Sequence, residues 1–216
     1  MAVITRKRNP LLEKYLESLV LHPILTKAVT NGALNFIQEN LAMYLSGSRP
    51  APYKKSGILP LDLVKANKRA LKLSAYGFFV SAPLAHVLMS LLQKAFAGRT
   101  SPKAKIAMIV ASNLIVAPIQ LSVYLGSLAV INGATSINAI LKFIQMQIMG
   151  VMKVAWVTGP ASLLVAQKFL PAETWVPFFS FVNFVLGTYI NTKVKRQQAL
   201  AKAKAEAKKD AEDKSN

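Results

Sequence analysis

Three stretches of this chain stay apolar for longer than a water-exposed helix can. Residues 73–92 carry one acidic or basic side chain, His86; residues 106–141 carry none over thirty-six positions; residues 174–192 also carry none. A bilayer core takes roughly 20 apolar residues per helical span, whereas a helix on a soluble domain keeps a polar outward stripe. These stretches lack that stripe, so their outer faces must meet lipid. The pattern predicts an all-α fold, a polytopic transmembrane helical bundle of four clear spans plus a more polar N-terminal helix. The spans fall in a helix over 61–96, whose apolar part is 73–92, and in helices over 103–131, 136–169 and 175–192. The segment 13–45 is helical by period but interrupted by Glu17, His22, Lys27, Asn31, Asn35, Gln38 and Glu39, and Pro23 should kink or restart it. It suits packing against the bundle, or partly at the interface, better than full lipid exposure. Gly, Ser and Pro mark 46–60 as a loop, Gly98 and Pro102 mark the next connection, Asn132-Gly133 breaks a span, and Leu170-Pro171 turns the chain into the last one. Three regions result: a basic leader (1–12), the membrane bundle (13–192) and a charged, Ala/Lys-rich tail (193–216).

The formal net charge of +18 over 216 residues raises nucleic-acid binding as an alternative. The bases, however, sit at the ends of apolar runs, where lipid headgroups lie and where each Lys or Arg is worth about 1 kcal/mol near anionic lipid. The lipid bilayer is the expected partner, and nucleic acid is not. There is no cysteine, which excludes disulfides and thiolate metal sites. No Asp or Glu occurs from residue 63 to 172, so the paired carboxylates of acid–base catalysis are missing from the spans. His22 and His86 have too few acids nearby for a metal site. No enzyme activity, cofactor or metal is expected. Arg6, Lys7 and Arg8 are followed by polar residues and not by an apolar signal core, and Lys214-Ser215-Asn216 is not the Ser-Lys-Leu matrix signal.

Each clear span carries a proline: Pro83, Pro118, Pro160 and Pro177. Such prolines free backbone carbonyls, and the kinks either shape the bundle or bow it around a cavity. Candidate cavity-lining residues are Lys153, His86 and Asn113. A Lys at mid-bilayer costs about 2.5–3.5 kcal/mol, so Lys153 is expected to face the bundle or water, and in a hydrated pore it would favour anions. His86 suits either a neutral imidazole bonded to a freed carbonyl or a cavity wall. Ser81 with Ala85, and Ala155 with Gly159, permit close helix approach within the bundle or in a homo-oligomer.

The segment Ala155-Trp156-Val157-Thr158-Gly159-Pro160, then Pro171, then Leu186-Gly187-Thr188-Tyr189-Ile190, resembles the signature of the 22-kDa peroxisomal membrane protein family, which includes the Mpv-seventeen proteins of the mitochondrial inner membrane. Tyr15-Leu16, His22-Pro23, Thr26, Thr30 and Gly32 look like its opening motif; Gly77, Pro83 and His86 match its second span, and Ala117-Pro118 its third. The similarity covers about residues 11–196. Several polar family positions differ: Gln38-Glu39 replaces a Gly-Asp pair, Ser112-Asn113 an Asp-Gln pair, and Leu163 and Ala166-Gln167 replace a Gln and an Asn-Phe.

The resemblance implies an integral peroxisomal membrane protein that forms a pore for small solutes or affects permeability. Two alternatives stay open: a non-conducting scaffold or organelle-biogenesis factor, and a channel-like protein of the mitochondrial inner membrane. Targeting is expected to use the basic clusters Arg6, Lys7, Arg8 and Lys68, Arg69, read by a peroxisomal membrane-protein import receptor-chaperone.

Overall fold

The computed structural model describes residues 10–47, 57, 62, 67–99, 101–171 and 174–213. Among them every regular element is helical. Helix α1 is Pro10–Leu21 and α2 is Pro23–Leu45. Helix α3 is Lys68–Ala95, α4 spans 102–131, α5 is Ile137–Phe169 and α6 is Trp175–Asp213. The basic leader's Arg6, Lys7 and Arg8 lie outside the described residues.

Local chemistry sets the boundaries. His22 precedes a proline and leaves the helical region at φ −135°, ψ 66°. There α1 folds back along α2, held by Thr26 Oγ1 donating to the Ser18 carbonyl at 2.8 Å and by Thr30 Oγ1 lying 3.4 Å from the Tyr15 hydroxyl. Asn67, Ser101 and Ser136 each accept from a backbone N–H three residues on, capping α3, α4 and α5. Gly133 takes φ +98° in the α4–α5 turn, a conformation that a side chain would strain.

Among the described residues three helices are long and apolar enough to cross a membrane: Lys68–Ala95, Ile106–Ile131 and Ile137–Phe169. The four clear spans expected from the sequence are therefore three. The last apolar run fails to qualify because Asn183, Thr188 and Asn191 interrupt it, and the latter two are buried on the side that packs against α2 and α4. Helix α6 then continues without a break through the charged tail to Asp213. Large apolar side chains remain exposed along the outside, among them Phe79, Leu114, Val157 and Leu164, as lipid-facing surfaces require.

Helix α2 has inverted polarity. Its buried residues are Ala28, Gly32, Gln38, Glu39 and Ala42, while Ile24, Leu25, Val29, Ile37 and Leu41 are exposed. Two reciprocal notches seat it on α3. A Cβ on Gly32 would lie 3.3 Å from the Ser74 carbonyl, and one on Gly77 would lie 2.7 Å from the Asn31 carbonyl. Below this crossing, Leu73, Leu125, Leu128, Val151, Ile190 and Val194 form the apolar core.

Two wide, π-type turns interrupt the spans, at Gly77–Ser81 in α3 and at Ser112–Val116 in α4, and each runs straight into an Ala-Pro pair. In the second, the Ala117 N–H reaches back five residues to the Ser112 carbonyl. In that register the Asn113 carbonyl faces Pro118, which has no N–H to give. Trp156 of α5 fills the gap, its indole Nε1–H donating to the Asn113 carbonyl at 3.2 Å. The proline thus becomes an α4–α5 anchor. Trp156→Phe keeps the ring but removes the donor, and should cost about 1–3 kcal/mol in thermal unfolding of the detergent-solubilised protein. A loss no larger than that of Val157→Ala, on the exposed face beside it, would contradict this role.

Candidate functional site

Glu39 is the most deeply buried charge among the described residues, with no exposed surface. Two cations meet it: Arg69 of α3 at 3.1 Å and Lys195 of α6 at 2.6 Å, both on Oε1. Glu39 Oε2 and the Arg69 Nε and Nη2 groups have no hydrogen-bond partner among the described residues. The next two residues of α6 add contacts: Arg196 donates to the Leu45 carbonyl at the end of α2, and Gln147 of α5 donates to Gln197 at 2.8 Å. A neutral polar layer lies on the other side. Tyr124 donates its hydroxyl proton to Asn191 Oδ1 at 2.6 Å, and Gln38 Nε2 reaches the same hydroxyl at 3.4 Å. Gln38 sits flat against Gly187, where any side chain would collide with it.

Beyond this layer α2, α3, α4, α5 and α6 line a partly open cavity of about 270 Å³. Asn31, Asn35, Gln38, Gln120, Ser180 and Asn183 contribute polar groups to its lining. The rings of Tyr76 and Tyr124 stand 5.8 Å apart at its inner end, and Leu34, Leu84, Leu121 and Phe184 supply apolar wall. No lining residue is acidic or basic. Asn183, at the rim, is exposed, whereas Gln38 at the inner end is buried. The described residues hold no group of three or more His, Cys, Asp or Glu that could hold a metal ion.

The three cavity candidates read from the sequence lie elsewhere. Lys153 is on the exposed face of α5, against the expectation that its ammonium points inward. The physical reason lies in the phase of the helix: Val151 and Met152 are the buried positions there, and Ala155 is the α5 residue that reaches the cavity. His86 is half-buried one turn after Pro83 and is absent from the lining. Asn113 is half-buried at the α4–α5 contact, its amide donating to the Ile109 carbonyl of its own helix at 2.9 Å.

Residues 129–191, from the end of α4 through α5 into α6, match the Mpv17 / PMP22 family. The chain is 46% identical to the Woronin body membrane protein wscA of Aspergillus fumigatus, over 88% of this chain and 80% of that relative. It is 45% identical to the Woronin sorting complex protein of Neurospora crassa, over 88% of this chain and 59% of the relative. With the peroxisomal membrane protein PMP22 of Arabidopsis thaliana it shares 24% over 89% of this chain and 95% of that one. No solved structure matches.

The chain belongs to the Mpv17 / PMP22 family. It is a multi-pass helical membrane protein, and the residues that resemble the family's motifs occupy structural positions. His22 and Pro23 form the α1–α2 hinge, Gly77 is the α3 notch, Pro83 and Pro118 follow the wide turns, and Trp156 is the anchor. Pro160 is carried inside α5. Pro171 starts the α5–α6 turn, its carbonyl accepting from Thr174 N–H at 3.0 Å. Of the second basic pair, Lys68 is exposed, whereas Arg69 is committed to Glu39.

Sequence reasoning singled out Gln38 and Glu39 as polar interruptions of the first helix and as a departure from a family pair, and missed the role of Glu39. The available signal was that Glu39 is the one acid between Glu17 and Asp62, on a helix whose small and polar residues, Gly32, Asn35, Gln38, Glu39 and Ala42, recur at three- and four-residue spacing.

Removing the carboxylate would leave two cations facing each other in a desolvated site. Glu39→Gln should therefore cost about 3–5 kcal/mol, with Glu39→Asp losing less, as read by thermal unfolding in detergent. Burial holds the Lys195 pKa below its usual 10.5; the Glu39 carboxylate opposes this and Arg69 adds to it. The unfolded chain then binds this proton more readily in the window between the lowered value and 10.5, so stability rises with pH across it. Lys195→Met should flatten that slope.

Proposed function

We propose that the chain is an integral protein of the peroxisomal membrane, or of the Woronin-body membrane for which its 46%-identical relative is named, and that it organises that membrane without catalysis. The observation that carries this reading is the ion cluster beside the cavity: the lining residues Gln38 and Tyr124 are tied to Asn191, and Gln38 is followed in the chain by the fully buried Glu39, held by Arg69 and Lys195. Solutes passing from the cavity through this cluster would have to separate a buried carboxylate from both of its cations, which is costly in a desolvated site.

The second reading, passage of small solutes, has the polar cavity in its favour. In that reading selection falls to the uncharged groups lining the cavity, since Lys153 lies on the outer surface. Targeting by an import receptor-chaperone would use Arg6, Lys7 and Arg8 together with Lys68, because Arg69 is occupied in folding.

Imaging the tagged protein against organelle markers should place it on peroxisomal membranes. Replacing Arg6, Lys7 and Arg8 together by Ala should disperse it, and deleting residues 211–216 should not. A mitochondrial inner-membrane location would overturn the placement. Purified protein in liposomes should leave the efflux of a small trapped dye at the protein-free rate. A several-fold faster efflux that Glu39→Gln accelerates further would replace the organising reading with the conducting one.

A further inference from the structure

We propose that the central cavity is a binding site for a small, uncharged, polyhydroxylated solute. The inference concerns occupancy of the pocket and holds whether or not the protein conducts.

Four polar side chains in the lining, Asn31, Gln120, Ser180 and Asn183, make no side-chain hydrogen bond to another described residue; the first three are half-buried and Asn183 is exposed. They come from three different helices, α2, α4 and α6, and converge on one space. Carboxamides offer donor and acceptor together, and hydroxyls do the same. A ligand presenting several hydroxyls would satisfy them all, whereas an apolar molecule would leave them unpaired at a cost.

The absence of charge in the lining is equally informative. The chain carries 27 Lys and Arg against 9 Asp and Glu, yet no ionised group reaches this cavity. The charge nearest in sequence to a lining residue, Glu39 beside Gln38, is turned away and held by Arg69 and Lys195. An ionic solute would lose its hydration here without gaining a counter-charge. The wall leucines and Phe184 can cover the carbon skeleton of a polyol while the amides take its hydroxyls, the division of labour usual in small-molecule sites.

Size narrows the class. A water occupies about 30 Å³ in the liquid, so about 270 Å³ holds about nine waters, or a polyol of roughly five carbons with a few waters beside it. Asn183 is the exposed polar residue of the lining, and Gln38 and Tyr124, hydrogen-bonded with Asn191, lie at the opposite, buried side.

The experiment uses the full chain in lipid nanodiscs, saturation-transfer difference NMR, and two probes: xylitol and its carboxylate counterpart xylonate. Xylitol should show saturable transfer, and xylonate less than about a fifth of that signal. Gln120→Leu removes one convergent amide, and Ala85→Leu fills the pocket from the α3 wall; each should lower xylitol transfer at least about five-fold. Circular dichroism establishes which variants remain folded. The xylitol-to-xylonate comparison in the unaltered protein decides the question even if neither variant folds. Absence of xylitol transfer, meaning a pocket filled by water only, would overturn the proposal. So would equal transfer from xylonate, or undiminished transfer in a folded variant.

Discussion

The bundle depends on one carboxylate, that of Glu39, the buried acid among the described residues. Glu39 draws α3 through Arg69 and α6 through Lys195 onto α2, joining elements that are 30 and 156 residues away in sequence, by the difference of their numbers. A buried ion pair rarely adds stability over a well-packed apolar contact, but breaking one is expensive. Its consequence here is placement. In a membrane, lipid and apolar side chains compete on equal terms, so apolar surface does little to fix which helices pair. One acid between two bases does fix it.

That constraint accounts for the inverted polarity of α2. A helix whose interior face carries Asn31, Asn35, Gln38 and Glu39 cannot present that face to lipid, so its apolar side is turned out and its polar side in. The glycines at 32, 77 and 187 let the backbones come close enough for those polar groups to reach their partners across the helix contacts. The same polar face supplies the ion cluster below and the uncharged cavity above, so the charge of Glu39 is neutralised where the interior is packed and neutral amides line the space that remains.

The prolines belong to the same economy of backbone polar groups. Each of Pro83 and Pro118 removes an N–H in a setting without water, and each follows a turn widened by one residue, which relieves the clash between the ring and the preceding turn. In α4 the carbonyl left over is taken by Trp156. The motif Trp156-to-Pro160 is therefore a contact made on another helix's proline, and its meaning could not be read from its own segment.

The sequence alone determined that the chain is an all-helical membrane protein, where its connections fall and which family it resembles, because lipid exposure, helix period and turn chemistry are local properties. Residues 73–92, 106–131 and 137–169 were legible for that reason. The sequence also marked 13–45 as too polar for full lipid exposure. The direction in which each polar residue points was left to the tertiary structure. Lys153 read as interior by its depth, yet a phase set by Val151 and Met152 places it outside. Glu39 read as a polar interruption and a departure from a family pair, yet it is the buried hub. The span 175–192 is as free of charge as its neighbours, yet only the fold shows that its Thr188 and Asn191 are buried, Asn191 against Tyr124 of α4. Helix period tells which residues share a face, but only packing against specific partners decides whether that face looks in or out, and in a membrane both directions are apolar enough to be allowed.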